Sequence, residues 1–259
     1  MNLIIYKMKR IVLLSALLSC TYFFAASQIL FIEKATIQFE VKTNIKKAIG
    51  DGMFGEMIKE NLPTFKTAYY NYTFANNKSI FKLDHFDEKA KIPDWFKADD
   101  EAREWFTDFA TGTMQMKQSA WGSSMYVKDS LPKIEWRLVN ENMNIAGFNC
   151  RKAVTKIFDS VYVFVYYTEE IPISGGPCTI SGLPGMIMAM TIPRLYTSWV
   201  ATKVTVNGVN ESIIKPAEAK KPMTKTEFSK FMMERTKDWG GGDEEGKHFK
   251  EQFLWEHML

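Results

Sequence analysis

Several groups of residues in this 259-residue chain carry the chemistry to hold or transform something, and each also has a plainer reading. Met186, Met188 and Met190 alternate along one apolar run, and Met114 and Met116 repeat that spacing on another. Thioethers are soft ligands that select Cu(I), so one reading is a copper-handling strand. The other is a sheet core filled by unbranched side chains. His85, within Asp84-His85-Phe86-Asp87-Glu88, is a further weak metal candidate. His248 and His257 lie nine residues apart and would face opposite sides of one helix. Glu244 and His248 at i,i+4 read equally as a solvated polar face. A structural zinc site needs four ligands, and no close grouping supplies them, so no metal and no cofactor is assigned.

Catalytic signatures are equally sparse. There is no GxSxG elbow, and Cys150 and Cys178 have no histidine nearby in sequence, so no catalytic residue is assigned. Gly241, Gly246 and Lys247 have the spacing of a phosphate loop. His248 stands where Ser or Thr is required, and Asp243, Glu244 and Glu245 would occupy the phosphate's place.

The elements that must position these groups read mainly as strands. Hydrophobic residues make up 46% of the chain, aromatics 14% and charged residues 24%, which excludes a disordered or collagenous chain. Period-2 or continuous apolar patterns over residues 29–42, 64–74, 79–84, 113–127, 133–140, 153–158, 161–168, 186–192 and 198–206 predict strands. Asn76-Asn77, Asp159-Ser160 and Asn207-Gly208 supply turns between them. The expected fold is mainly β (α+β), an antiparallel meander sheet or half-barrel with one helix, residues 94–110, over an end. From residue 215 the chain turns polar, and Thr224-Lys225-Thr226-Glu227 offers a capping box before a helix that should end at Gly240-Gly241-Gly242. A second helix over 243–257 completes a C-terminal appendix outside the core.

The N-terminus reads as an address. Lys7, Lys9 and Arg10 precede an uncharged apolar run, residues 11–26, and Ala25-Ala26-Ser27 places small residues at a cleavage-like site before Gln28. That is the layout of a secretory signal peptide. Leu17-Leu18-Ser19-Cys20 also offers a lipobox, with lipidated Cys20 as the competing reading. The expected organisation is a signal peptide over 1–27, a β-rich domain over 28–214 and a helical extension over 215–259. The net charge of +3 resides entirely in the leader, since beyond it 30 basic residues face 30 acidic ones. A neutral chain without a basic patch does not suit nucleic acid.

Residues 169–190, EEIPISGGPCTISGLPGMIMAM, hold the most distinctive motif. In Gly182-Leu183-Pro184-Gly185, Pro184 suits the second position of a type II turn and Gly185 would supply its positive φ. Gly182-Leu183-Pro184-Gly185-Met186-Ile187 resembles the signature of the GLPGLI family of secreted proteins, with Met for Leu at one position. Ile134-Glu135-Trp136-Arg137-Leu138, Ile145 to Ala153 and Tyr166 to Pro172 are similar to the family pattern in the same order. The resemblance implies export, an envelope or extracellular location and a β-rich fold, and it implies no activity, cofactor or catalytic residue. Cys178 stands where an aromatic is expected, which leaves two readings: a Cys150–Cys178 disulfide in an oxidising compartment, or two separate buried thiols.

The expected function is that of a non-enzymatic periplasmic or outer-membrane-associated protein. It would bind a partner, such as an outer-membrane or envelope protein, or an apolar ligand through aromatics such as Trp121, Trp136, Tyr162, Phe164 and Trp199. A copper-handling accessory protein is the alternative, and a hydrolase a third. The membrane enters only through the leader or Cys20.

Overall fold

The computed structural model describes residues 31–49, 56, 59–219, 221–239 and 244–259. The predicted leader with Cys20, the glycine run 240–242 and the first three residues of the phosphate-loop-like segment, 241–243, lie outside these residues.

Eleven described strands form one antiparallel sheet: β1 Ala35–Asn44, β2 Phe65–Ala75, β3 Lys78–Phe86, β4 Glu104–Asp108, β5 Thr113–Ala120, β6 Ser123–Ser130, β7 Arg137–Ile145, β8 Phe148–Ile157, β9 Val161–Thr168, β10 Met186–Ile192 and β11 Thr197–Thr205. Their order is β6-β5-β4-β3-β2-β1-β11-β10-β9-β8-β7, so every neighbour is consecutive in sequence except β1 and β11. That pair joins two meanders, with Thr36 opposite Thr205 and Thr43 opposite Thr197.

The alternation that predicts strands also sets which face is buried. Ala35, Ile37, Phe39 and Val41 of β1 point into the core while Thr36, Gln38, Glu40 and Lys42 do not. In β9, Val161, Val163, Val165 and Tyr167 are buried, whereas Tyr162, Phe164 and Tyr166 lie on the other face. β10 departs from this: Met186 to Met190 are all buried, and its register with β9 shifts between Ile187 and Ala189.

Two expected elements divide. The helix predicted over 94–110 is α2, Asp94–Ala102, followed directly by β4. Arg103 between them is extended (φ −81°, ψ 137°), and from there Trp105 and Thr107 alternate inward and pair with β3 and β5. Ladder hydrogen bonds on both sides and burial of Trp105 outweigh the helical periodicity of the same residues. The strand predicted over 113–127 is the β5–β6 hairpin, turning at Trp121-Gly122 with φ of 52° and 71°. Positive φ at both turn residues marks a type I′ turn, and a tryptophan in that conformation is held by rings: Phe253 (5.5 Å), Trp239 (6.1 Å) and Phe231 (6.3 Å).

The helices after the sheet are α3, Lys225–Arg235, and α4, Glu244–Met258; a short α1, Ile45–Ile49, follows β1. The predicted capping box is present: the Thr224 hydroxyl accepts from Glu227 N, and the Glu227 carboxylate accepts from Thr224 N at 2.8 Å. This C-terminal extension is not peripheral, because Phe228, Met232 and Leu259 belong to the hydrophobic core. The polar residues between β11 and α3 conceal that role in the sequence. The segment before α3 also covers one edge of the sheet, with Met223 N donating to Tyr126 O and Met223 O accepting from Lys128 N, both at 2.8 Å. Among the described residues no helix is long and apolar enough to cross a membrane.

Candidate functional site

The motif loop between β9 and β10 has a buried course. Gly175 to Ser181, with Leu183 and Gly185, are buried, which is rare for a loop and requires its backbone groups to be paired. Gly175 N donates to Ile173 O, Ile187 N to Gly175 O, Met186 N to Ile171 O, and Gly182 N to the Ser174 hydroxyl. Trp136 Nε1 donates to Ser181 O at 3.0 Å, so two of the segments resembling the GLPGLI pattern meet here. The positive φ falls at Gly182 (98°), not at Gly185 as the turn chemistry predicts. Gly185 is required for a different reason: a Cβ there would strike the Thr168 carbonyl. Met186 and Ile187 beyond it are fully buried.

The five methionines of the copper reading are core residues. Met186, Met188, Met190, Met114 and Met116 are at most 1% exposed. His85 is exposed, hydrogen-bonded through Nδ1 to Asp84 Oδ2 at 2.8 Å and stacked on Tyr69 at 4.7 Å. Among the described residues no three His, Cys, Asp or Glu side chains converge on a metal position.

The cysteines are free thiols, correcting the disulfide reading. Cys150 sits on β8 with Sγ 3.5 Å from Phe148 O, and Cys178 lies in the motif loop facing Arg103 and Glu256. They line separate cavities. Burial pushes the Cys150 thiol up to about 11 and the Cys178 thiol up to about 12, so neither is an activated nucleophile. Of the predicted aromatics, Trp121 and Tyr162 are exposed, Tyr162 stacking on Phe164, while Trp199 is in the core.

The charged groups most like an active site form a clamp under α4. Lys66 Nζ meets Asp100 Oδ2 at 2.5 Å, and Arg103 Nη1 meets Glu256 Oε1 at 2.9 Å and Asp100 Oδ1 at 3.6 Å. Arg103 Nη2 donates to His257 Nε2 at 2.8 Å, and His257 Nδ1 donates to Phe253 O at 2.8 Å, the pattern of a neutral imidazole. Both ring nitrogens are thereby occupied. Burial and then the Arg103 charge hold His257 down at about 4. Burial alone would raise the Glu256 carboxyl, but Arg103, Lys66 and His257 outweigh it and hold it at about 2. Half of the Glu256 side chain is exposed, so water screens part of that pairing. The cavity beside this cluster measures about 50 Å³, room for a few waters and not for a substrate.

The clamp makes stability depend on pH. His257 binds a proton near 6.5 when unfolded and only near 4 when folded, so the unfolded state takes up more protons in between and stability falls as pH drops through that window. Denaturation midpoints at pH 7 and pH 4.5 are expected to differ by about 2–3 kcal/mol of stability, and His257→Gln is expected to flatten that slope. A midpoint unchanged over this range would contradict the assignment of a neutral buried imidazole.

A wider cleft of about 690 Å³ opens between β7, β8 and the start of the motif loop. Asn140, Asn142 and Asn149 present carboxamides to it, with Arg151, Glu169 and Glu170. Arg151 Nη1 meets Glu169 Oε1 at 3.2 Å, and Glu170 is fixed by Asn149 N donating to Oε1 at 3.0 Å. Tyr167 lines the same cleft; it is fully buried, and its hydroxyl has the Glu169 carboxylate as its polar neighbour. Burial, and the Glu169 carboxylate against the opposing Arg151, keep its phenol protonated. The groups a ligand can reach in this cleft are the three carboxamides, Arg151 and the two glutamates, with Tyr167 as the buried floor beneath them. Sequence reasoning misses it because Tyr167 reads as an ordinary inward strand position.

Comparisons with known proteins extend this picture. A family model described as N-glycanase peptide, N-terminal domain matches residues 67–226. The structure of PNGF-II in a P21 space group is 13% identical, covers 77% of this chain and 33% of that one, and superposes with a TM-score of 0.51. PNGF-II in a C2 space group gives 16%, 74%, 30% and 0.48. An uncharacterized conserved protein from Thermus thermophilus gives 8%, 73%, 88% and 0.35. The chain spans about a third of the length of PNGF-II, and at these identities the likeness is one of fold. No curated protein matches. The matched family carries a different name from the GLPGLI family that residues 182–187 resemble.

Proposed function

The chain belongs to the N-glycanase peptide N-terminal domain family, and from that premise we propose that it is an exported, non-enzymatic binding module whose polar cleft takes a hydroxyl- and amide-rich ligand. The class of ligand that the family name brings is a glycan or the peptide bearing it. The observation that carries the reading is a cleft lined by three carboxamides, an arginine and two glutamates, one of which, Glu169, is set against the buried Tyr167 hydroxyl. Such groups orient a neutral polar ligand by hydrogen bonds, and the cleft volume lies within the roughly 300–1,000 Å³ of small-molecule sites. The clamp around Arg103 holds α4 in place and offers no free base or nucleophile.

The leader-like N-terminus and the GLPGLI resemblance support an envelope location, with an outer-membrane or envelope protein as a partner. Within such a partnership the module presents substrate and the chemistry is done elsewhere.

Calorimetric titration of one peptide in glycosylated and unglycosylated form, together with the free oligosaccharide, tests this. Saturable binding of the oligosaccharide is expected, weakened about three- to tenfold by Tyr167→Phe. No binding of any of the three ligands, or an affinity that Tyr167→Phe leaves unchanged, would remove the reading.

A further inference from the structure

We propose that the protein has a second ligand site, for a single-chain amphiphile with a carboxylate head, in the groove between the β8–β9 hairpin and the C-terminal end of α4. The groove encloses about 600 Å³. Its apolar lining comes from Ile134, Ile157, Phe158, Ile180 and Met258. Ile134, Ile157, Phe158 and Met258 are only partly buried although they pack on the core, so the groove is an opening onto core surface.

The charged side chains around it are mainly basic. Lys133, Lys156 and Lys225 line the groove against one acid, Glu135, and none of the three lysines forms an ion pair with a described residue. Lys225 lies deepest. Its ammonium has only the Thr179 hydroxyl at 3.4 Å, and its backbone N–H, not its side chain, takes the Asp129 carboxylate at 2.9 Å. Burial lowers the Lys225 pKa against the opposing pull of Asp129, and a carboxylate beside it would relieve that desolvation. Phe158, at the wall of the groove, is held at φ 48°, a left-handed conformation that bulky residues adopt at a cost.

An inorganic anion would satisfy the lysines and leave the apolar floor wet. An uncharged or cationic chain would cover the floor and leave the lysines unmatched or repelled. A fatty-acid-like chain does both tasks at once, its tail on Ile157 and Met258 and its head at Lys225.

The test is titration of the purified protein with dodecanoate below its micelle concentration, with acetate and dodecyltrimethylammonium as the head-only and reversed-charge probes. Dodecanoate is expected to bind saturably and at least about tenfold tighter than either probe, and Lys225→Gln to lose about tenfold with the circular dichroism spectrum unchanged. Tyr167→Phe is expected to leave dodecanoate binding untouched, which separates this groove from the polar cleft. Equal binding of the cationic detergent, no saturable binding at all, or loss on Tyr167→Phe overturns the proposal. So does an affinity indifferent to both Lys225→Gln and Ile157→Asp.

Discussion

Gly185→Ala is expected to destabilise the protein by about 3 kcal/mol or more, at the upper end of what one added methyl does in a packed interior. The reason is the identity of the neighbours. A Cβ at this position would run into the Thr168 carbonyl oxygen and stand 2.7 Å from its carbon and 3.0 Å from the Glu169 Cα. These are backbone atoms of the strand end that pairs with Met186, and no rotamer change relieves them. Gly208→Ala is the informative control. Its φ of 68° strains an alanine by about 1–2 kcal/mol, yet nothing lies within 4 Å of the new methyl. Urea midpoints of the two variants therefore rank collision against conformational strain. If Gly208→Ala proved the more damaging, close backbone approach would not be what position 185 demands.

Arg103→Met is expected to cost about 3–5 kcal/mol, the usual result of removing one partner from a buried charge cluster. Asp100 keeps Lys66, but Glu256 loses its nearest cation and His257 Nε2 loses its donor. A second readout distinguishes this from loss of packing alone. Because Arg103 depresses both neighbours, its removal should raise the His257 pKa from about 4 and the Glu256 pKa from about 2. Titration of His257 by NMR in the folded variant checks the direction. A destabilised variant whose His257 titrates as before would mean that the guanidinium acts here as bulk and not as charge.

Much of the sheet is legible in the sequence because period-2 alternation is a local signal. β9 and β10 fall at their predicted bounds, and the capping box at Thr224 is readable from four consecutive residues. The exceptions are places where distant contacts decide. Residues 103–108 have helical spacing, but β3 and β5 convert them to a strand. Trp121 is a poor turn former by type, and only the rings of α3 and α4, with Trp239 between them, explain its conformation. The Gly182–Gly185 segment stands out by composition, yet its mechanics differ from those the motif suggests, since close approach to Thr168 cannot be seen in the motif itself. The clamp draws on Lys66, α2, Arg103 and α4, and the cleft on β7, β8 and the motif loop. Neither has a spacing rule that a linear reading could detect.

The junction of the two meanders has a consequence for how the molecule is made. Thr36 meets Thr205 and Val41 meets Trp199, so the first strand of the sheet has one neighbour early and must wait for nearly the whole sheet-forming segment before it has its second. The hairpins on either side can close locally and fast, whereas the seam requires two distant parts of the chain to find each other. The seam is therefore the late step of folding. Until it zips, the facing edges of β1 and β11 carry unpaired backbone groups.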